Sequence, residues 1–322
     1  MKAGKEAKAR NKTIILDNED INLYSKKLIR LDSNTDVNSL INKTINQDFF
    51  EAVKYLPGEF VDLLILDPPY NLNKSFNSIK FTSRSIDKYS EWIDKIITAL
   101  KPSLKKSASI YFCGDWYTSI SISNVLTRHF IVRNRITWER EKGRGSLRNW
   151  KNNSEDIWFC TMSDKYKFNI NAVKLIKKVI APYRDANGLP KDWIEVENGN
   201  YRLTHPSNIW TDISVPFWSM SENTEHPTQK PEKLIAKLIL ASSDENDIVF
   251  DPFTGSGTTS VVAKKLGRKY VGIEADNYFA CLTEKRLELA ETNSDIQGYN
   301  YGYFWERNTK PFPINLNVKK KR

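Results

Sequence analysis

Thiol and imidazole groups are scarce in this chain of 322 residues, which carries three cysteines and three histidines. Cys113, Cys160 and Cys281 lie far apart, no CxxC pair occurs, and the histidines are His129, His205 and His226. That excludes a disulfide scaffold and argues against a Cys/His zinc site, so no metal is expected. A reducing, cytoplasmic setting fits. No stretch reaches the run of about eighteen apolar residues that a membrane-spanning helix needs, so no membrane partner is expected. The N-terminal MKAGKEAKARNKT is basic but lacks an apolar segment behind it, and a secretory signal is not expected. Internal repeats and low-complexity tracts are missing too.

Positive charge and aromatic rings are plentiful. Lys plus Arg number 49 against 39 for Asp plus Glu, a formal net charge of +10. A basic surface points to a polyanionic partner, nucleic acid first among them, although a lysine-rich proteome accounts for the number equally well. Aromatics make up 12% and include nine Trp, which favours stacking on flat ligands; many rings will still be core.

From Ile41 the pattern is α/β. INKTINQD reads as a short strand, FFEAVKYL as a short amphipathic helix, and Val61–Leu66 as a buried strand of parallel type stopped by Asp67, Pro68 and Pro69. Trp92, Ile93, Ile96, Ile97 and Leu100 recur at helical spacing. SASIYFC is another buried strand, and FIVRNRITW with EDIWFCTM reads as a hairpin. Residues 165–223 lose the rhythm. It resumes with a helix after Pro231, the strand DIVF, a glycine turn, the strand KYVGI and a helix N-capped by Asp276. Alternation of this kind predicts a doubly wound, mostly parallel sheet.

Two motifs fall at strand ends. Asp251-Pro-Phe253-Thr-Gly255-Ser-Gly257 joins a strand to a helix, where glycines let a nucleotide-like ligand approach the backbone. Glu274 closes the next strand, placed to grip ribose hydroxyls. Ser260 stands where a dinucleotide fingerprint has its third glycine, and no Lys follows Gly257, so a pyrophosphate loop fits less well than an adenosine without pyrophosphate. The second motif is Asp67-Pro68-Pro69-Tyr70. Its carboxylate and carbonyls can accept from an amino group, and Tyr70 can stack on the ring that bears it. Alone, it reads equally as a Pro-Pro turn with a half-buried Tyr. Ligands of such sheets bind outside the carboxyl ends of the strands, where both motifs sit.

DPPYN followed by HPTQKP and DPFTGSGTT resembles the S-adenosylmethionine-dependent DNA amino-methyltransferases, in the motif order of their β group. The resemblance covers about Ile41 to Leu289. It implies a Rossmann-like, circularly permuted methyltransferase fold with a mostly parallel seven-stranded sheet and an inserted target-recognition module. The division is then an N-terminal arm (1–40), a catalytic half (41–164), the target-recognition module (165–223), a cofactor-binding half (224–292) and a C-terminal extension (293–322). Asp67 and the Pro68 carbonyl would hold the target amino group, in a loop stiffened by Pro69, while Tyr70 stacks on the extruded base. Asp251, Phe253, Gly255 and Gly257 would line the S-adenosyl-L-methionine pocket, Glu274 would bind the ribose, and Asp48 would contact the adenine. Thr228, Gln229 and Lys230 would approach the methionine end. His226 is expected as a structural partner in the cofactor loop.

DPPY is the form usual for adenine-N6 enzymes; the cytosine-N4 enzymes more often begin with serine. The expected activity is therefore site-specific adenine-N6 methylation of double-stranded DNA by base flipping and direct transfer, in a prokaryotic restriction-modification setting. The resemblance adds a homodimer and a cognate restriction endonuclease as partners. Cytosine-N4 transfer in the same fold and a catalytically silent DNA-binding subunit are the alternatives. Ring-carbon methylation, which needs a Pro-Cys nucleophile, is disfavoured because Phe112, Phe159 and Ala280 precede the cysteines. Arg140, Lys142, Arg144, Arg148 and Lys151, in a loop with Gly143 and Gly145, are candidate phosphate contacts, although a charge run is also what a solvated loop shows. Base readout is expected from 165–223, which offers Tyr183, Trp193, Trp210 and Trp218 among its lysines.

Overall fold

A computed structural model describes residues 11–76, 79–140, 147–180, 183–196 and 199–313. Helices α1 (Asn18–Tyr24) and α2 (Val37–Leu40) precede strand β1 (Lys43–Asn46), and α3 (Phe49–Ala52) leads into β2 (Val61–Leu66). Strands β3 (Lys74–Phe76) and β4 (Ile79–Phe81), helix α4 (Ile86–Leu100), strand β5 (Leu104–Asp115) and helix α5 (Ser119–His129) follow. The hairpin β6 (Ile131–Glu139) and β7 (Ser154–Thr161) comes next, then β8 (Leu175–Lys178), β9 (Ile194–Val196), β10 (Gly199–Thr204) and β11 (Ile209–Trp210). Helix α6 (Glu232–Ser242), strand β12 (Ile248–Asp251), helix α7 (Thr258–Lys265), strand β13 (Lys269–Glu274) and helix α8 (Asn277–Thr292) form the second βα run, with β14 (Tyr299–Asn300) and β15 (Tyr303–Trp305) beyond it.

The main sheet runs β1-β13-β12-β2-β5-β7-β6-β11. Its first five strands are parallel, β7 is antiparallel to β5 and β6, and β11 returns parallel to β6. The sheet has eight strands where seven were expected. The extra one, β11, is two residues set opposite Thr137 and Trp138, too short to leave any periodicity. Chain order explains the permutation: the block β12–α7–β13–α8 comes late, yet its two strands lie inside the sheet between β1 and β2.

Sequence makes β2 its middle strand. Leu63, Leu64, Ile65 and Leu66 are wholly buried. Leu63 and Ile65 face α6, α7 and α8, while Leu64 and Leu66 face α3, α4 and α5. Alternate side chains of one strand thus enter two helix layers, which is why the run is apolar without a break. Each such side chain stabilises the fold by about 1.5–3 kcal/mol. Helix α4 buries Tyr89, Ile93, Ile96, Ile97 and Leu100 along one face and is N-capped by Ser85. Asp276 caps α8 by accepting from the Tyr278 and Phe279 N–H groups.

Segment 165–223 does not stand apart. β8, β9 and β10 join β14 and β15 in a second sheet, order β14-β15-β8-β10-β9. Val173, Leu175 and Phe304 from this layer pack into the core beside α6. Asp212 is clamped between Lys233 (2.7 Å) and Lys237 (2.8 Å) of that helix. The N-terminal arm is likewise an added layer. Ile14 bridges to Thr224 and Ile29 to Ile45, and α1 is tied to α8 by Lys285–Asp20. Among the described residues no helix is long and apolar enough to cross a membrane.

Candidate active site

Strands β12 and β2 are neighbours, but the chain leaves β12 for β13 on one side and β2 for β5 on the other. Such a switch point opens a crevice at the carboxyl edge. Phe250 sits opposite Leu64, so Asp251 and Asp67 emerge at the same edge. A cleft of about 720 Å³ lies there, and Asp67, Pro68, Pro69, Tyr70, Asp251, Phe253, Gly255 and Glu274 all line it. The two motifs, nearly two hundred positions apart in sequence, share one cavity.

At one end, Glu274 accepts from the Gly255 and Asp276 N–H groups, each at 2.8 Å. Burial pushes its carboxyl up to about 7 against the pull of those donors. Asp251 accepts from Phe253 N–H (3.0 Å) and the Thr259 hydroxyl (2.6 Å), and burial raises it to about 7 as well. Gly255 and Gly257 hold φ of +56° and +79°. A Cβ on Gly255 would meet His226 Nε2 at 3.0 Å, and one on Gly257 would meet Thr283 Cγ2 at 2.5 Å. The backbone therefore curls where only glycine fits, and His226 packs edge-on against Phe279 as a structural partner. Phe253 lies 5.2 Å from the Phe49 ring and 6.3 Å from Trp92, giving an aromatic wall. Asp48 lines the cleft and caps α3 through Phe50 N–H at 2.8 Å.

This end suits an adenosine. A flat base has the Phe253 wall. Each Glu274 oxygen, already holding one N–H, keeps a lone pair for a hydroxyl.

The other end is ionic. Lys230 Nζ donates to both Asp67 oxygens, at 2.6 and 2.8 Å, and lies 3.4 Å from Glu155. Burial alone would lower the Lys230 ammonium, but Asp67 and Glu155 outweigh it and hold it above its ordinary value. The Tyr70 hydroxyl is 3.1 Å from Asp67 and 3.1 Å from Glu155; burial, then those two carboxylates, push it well above the phenol range, so it stays protonated. Arg140 closes the set on Glu155 at 2.6 Å. Tyr89, buried in α4, donates to the Pro69 carbonyl and pins the loop. Burial also raises Cys113, beside this cluster, well above the thiol range, leaving it a poor nucleophile.

Several residues do other work than the sequence suggested. Lys230, expected at the methionine end, is drawn to the partly buried Asp67 carboxylate. Gln229 spends its amide on Thr224 and on the Glu222 carbonyl, bracing the loop. Thr228 lines the cleft with its N–H on His226. Arg140 turns inward to Glu155 instead of outward to a phosphate. Lys142 and Arg144 lie outside the described residues. Arg148 and Lys151 are exposed. Trp193 and Trp210 are buried at 5% and 6% exposure and cannot stack on bases, whereas Tyr183 and Trp218 remain exposed. Glu155 was missed. Its signal was an acidic pair, Glu155-Asp156, opening an otherwise apolar strand at the cleft edge.

Residues 61–285 match the family described as DNA methylase. Escherichia coli (strain K12) DNA adenine methyltransferase YhdJ is 32% identical over 253 residues, 76% of this chain and 82% of that protein. Type II methyltransferase M.HpaI of Haemophilus parainfluenzae is 33% identical over 266 residues, 80% of this chain and 76% of that one. Among solved structures, an M1.HpyAVI–SAM complex aligns with a TM-score of 0.51 at 25% identity, covering 76% of this chain and 98% of that one. The cytosine-N4-specific PvuII DNA methyltransferase aligns at 0.55 with 16% identity, covering 78% and 92%, a likeness of fold. With the match spanning both motifs of the cleft, the chain belongs to the DNA methylase family.

Proposed function

We propose that this chain is a site-specific DNA methyltransferase that moves a methyl group from S-adenosylmethionine to N6 of adenine in duplex DNA. One observation carries the reading: an acceptor group, Asp67 with Tyr70, and an adenosine-type pocket, Gly255 with Glu274, open into a single cleft. The names of YhdJ and the type II relatives support adenine as the base and restriction-modification as the setting. A cognate endonuclease acting on the same site belongs to that reading. A homodimer rests on the family resemblance and is read by sedimentation.

Bound cofactor supplies a methyl group already activated on a sulfonium. The Phe253 wall would hold its adenine, with Asp48 at the rim, and Glu274 its ribose. The exocyclic N6 is a weak nucleophile because its lone pair is conjugated into the ring. Asp67 and the Pro68 carbonyl would accept its hydrogens and free that lone pair for in-line attack. Reaching it requires flipping the base out, at a cost of a few kcal/mol, and stacking on Tyr70 would return about 1–3 kcal/mol.

The hairpin loop between β6 and β7 leaves the sheet at the same edge as the cleft, since Asp115 pairs with Glu155 and Glu155 with Trp138. Arg148 and Lys151 stand on it for phosphates. Leu147 and Trp150, almost wholly exposed, are suited to fill the gap an extruded base leaves. Base readout would fall to the exposed part of 165–223, Tyr183 and Trp218 included. Transfer of labelled methyl to duplex DNA followed by nucleoside analysis tests the reading. N6-methyladenine is expected; N4-methylcytosine alone would replace adenine with cytosine, and no transfer with intact cofactor binding would favour a silent DNA-binding subunit.

A further inference from the structure

Most of the Asp67 carboxylate is taken before any base arrives, with one lone pair left on Oδ2. Lys230 Nζ bridges both oxygens at 2.6 and 2.8 Å, and the Tyr70 hydroxyl sits at 3.1 Å from one of them. These are the acceptor positions that a target amino group needs. Lys230 is 8% exposed, so it cannot leave for water, and a buried ammonium without a partner is costly. A second carboxylate stands beside it. Glu155 Oε2 is 3.4 Å from Nζ, while Arg140 holds Oε1 at 2.6 Å and fixes the group in place. The cluster holds two carboxylates and two cations.

We infer that Lys230 occupies the seat of the target amine and that Glu155 is the positioning residue that receives Lys230 when the flipped base takes that seat. The inference rests on the methylation reading above and deepens it. With the base in place, Asp67 faces a neutral amino group, and Glu155 faces both Lys230 and Arg140. No cation is left unpaired, and Asp67 keeps its negative charge against neutral N–H and O–H donors. Asp67 releases its cation only to a group that brings N–H donors. Adenine does so; a carbonyl at the same ring position would set acceptor against acceptor and leave the ammonium where it is. The handover also favours the reaction. As the nitrogen–methyl bond forms and the sulfur–methyl bond breaks, the amino nitrogen sheds one proton along its hydrogen bond to Asp67. A carboxylate no longer neutralised by an ammonium is the better proton acceptor.

The test is a double-mutant cycle on the full chain with S-adenosylmethionine and a duplex bearing one target adenine. Single-turnover transfer and cofactor affinity are measured together. Glu155→Gln slows transfer about tenfold or more while Lys230 is present, with cofactor affinity held within about twofold. In a Lys230→Met background the same change costs less than about twofold, because no ammonium has to move. An equal loss in both backgrounds, as a merely structural role would give, or no loss with Lys230 present, overturns the inference. If Glu155→Gln fails to bind cofactor, Lys230→Met alone decides. Its preference in binding for a duplex with adenine over one with unsubstituted purine at the target position falls at least about fivefold from that of the wild-type chain. An unchanged preference overturns the inference. A wild-type chain that yields no N6-methyladenine would instead bring down the reading of function.

Discussion

Gly257 and Gly188 adopt nearly the same backbone, φ +79° and +77°, in different surroundings, and the pair isolates what the cofactor loop demands. An alanine at either site puts a Cβ into the left-handed region, a strain of roughly 1–2 kcal/mol. At Gly188 nothing lies within 4 Å, so the strain is the whole cost. At Gly257 the new Cβ meets Thr283 Cγ2 at 2.5 Å, Oγ1 at 2.7 Å and Cβ at 2.8 Å. Thr283 is wholly buried, and its one hydroxyl hydrogen is shared between the Gly255 and Phe279 carbonyls at 3.2 and 3.1 Å, so it has nowhere to turn. Overpacking of this kind adds about 1–3 kcal/mol, for a total near 2–5 kcal/mol. Urea denaturation of Gly257→Ala and Gly188→Ala reads the difference. Adding Thr283→Ala to Gly257→Ala removes the colliding atoms, and the coupling energy of that cycle equals the overpacking share. Equal losses from the two glycine variants, or strict additivity with Thr283→Ala, would refute the reasoning.

Three other predictions concern charge. Burial raises Glu274 and Asp251 to about 7, above their unfolded values, so the folded chain binds the extra protons. Their contribution favours the fold below the unfolded values and is lost as pH climbs from about 4 to about 7, with no further change above. Denaturation of Glu274→Gln against the wild-type chain across that window shows a smaller decline for the variant. Cofactor binding that uses the ionised Glu274 strengthens from about pH 6 to about pH 8, and Glu274→Gln flattens that trend in calorimetry. Arg148→Ala and Lys151→Ala each lower the slope of log affinity for DNA against log salt by about 1 without changing which site is methylated. A salt titration of binding with methylation mapping checks both.

Local chemistry was legible from the residues. The unbroken apolar run of β2, the glycines before α7 and the cap at Asp276 each depend on near neighbours in the chain, and each stands where the pattern put it. So does the placing of both motifs at one sheet edge, because parallel strands align their carboxyl ends. Contacts between distant tips were not legible. Lys230 meets Asp67 across 163 positions, and no spacing rule tells which of several buried polar groups a long side chain will reach. A charged loop reads the same whether its first arginine points out, like Arg148, or in, like Arg140. The second sheet escaped because its strands are two to six residues long and its two ends lie in separate parts of the sequence. Trp193 and Trp210 looked like free rings because composition does not distinguish a stacking ring from a core one.

The central claim is that donor and target meet in one cleft with separable holds on each. Asp67→Ala tests it most directly, through single-turnover methyl transfer and cofactor affinity measured on the same preparation. The account predicts a fall in transfer of roughly 10²–10³-fold or more with the cofactor dissociation constant within about threefold of the wild-type value. Transfer at the wild-type rate, or affinity falling in step with rate, would contradict it.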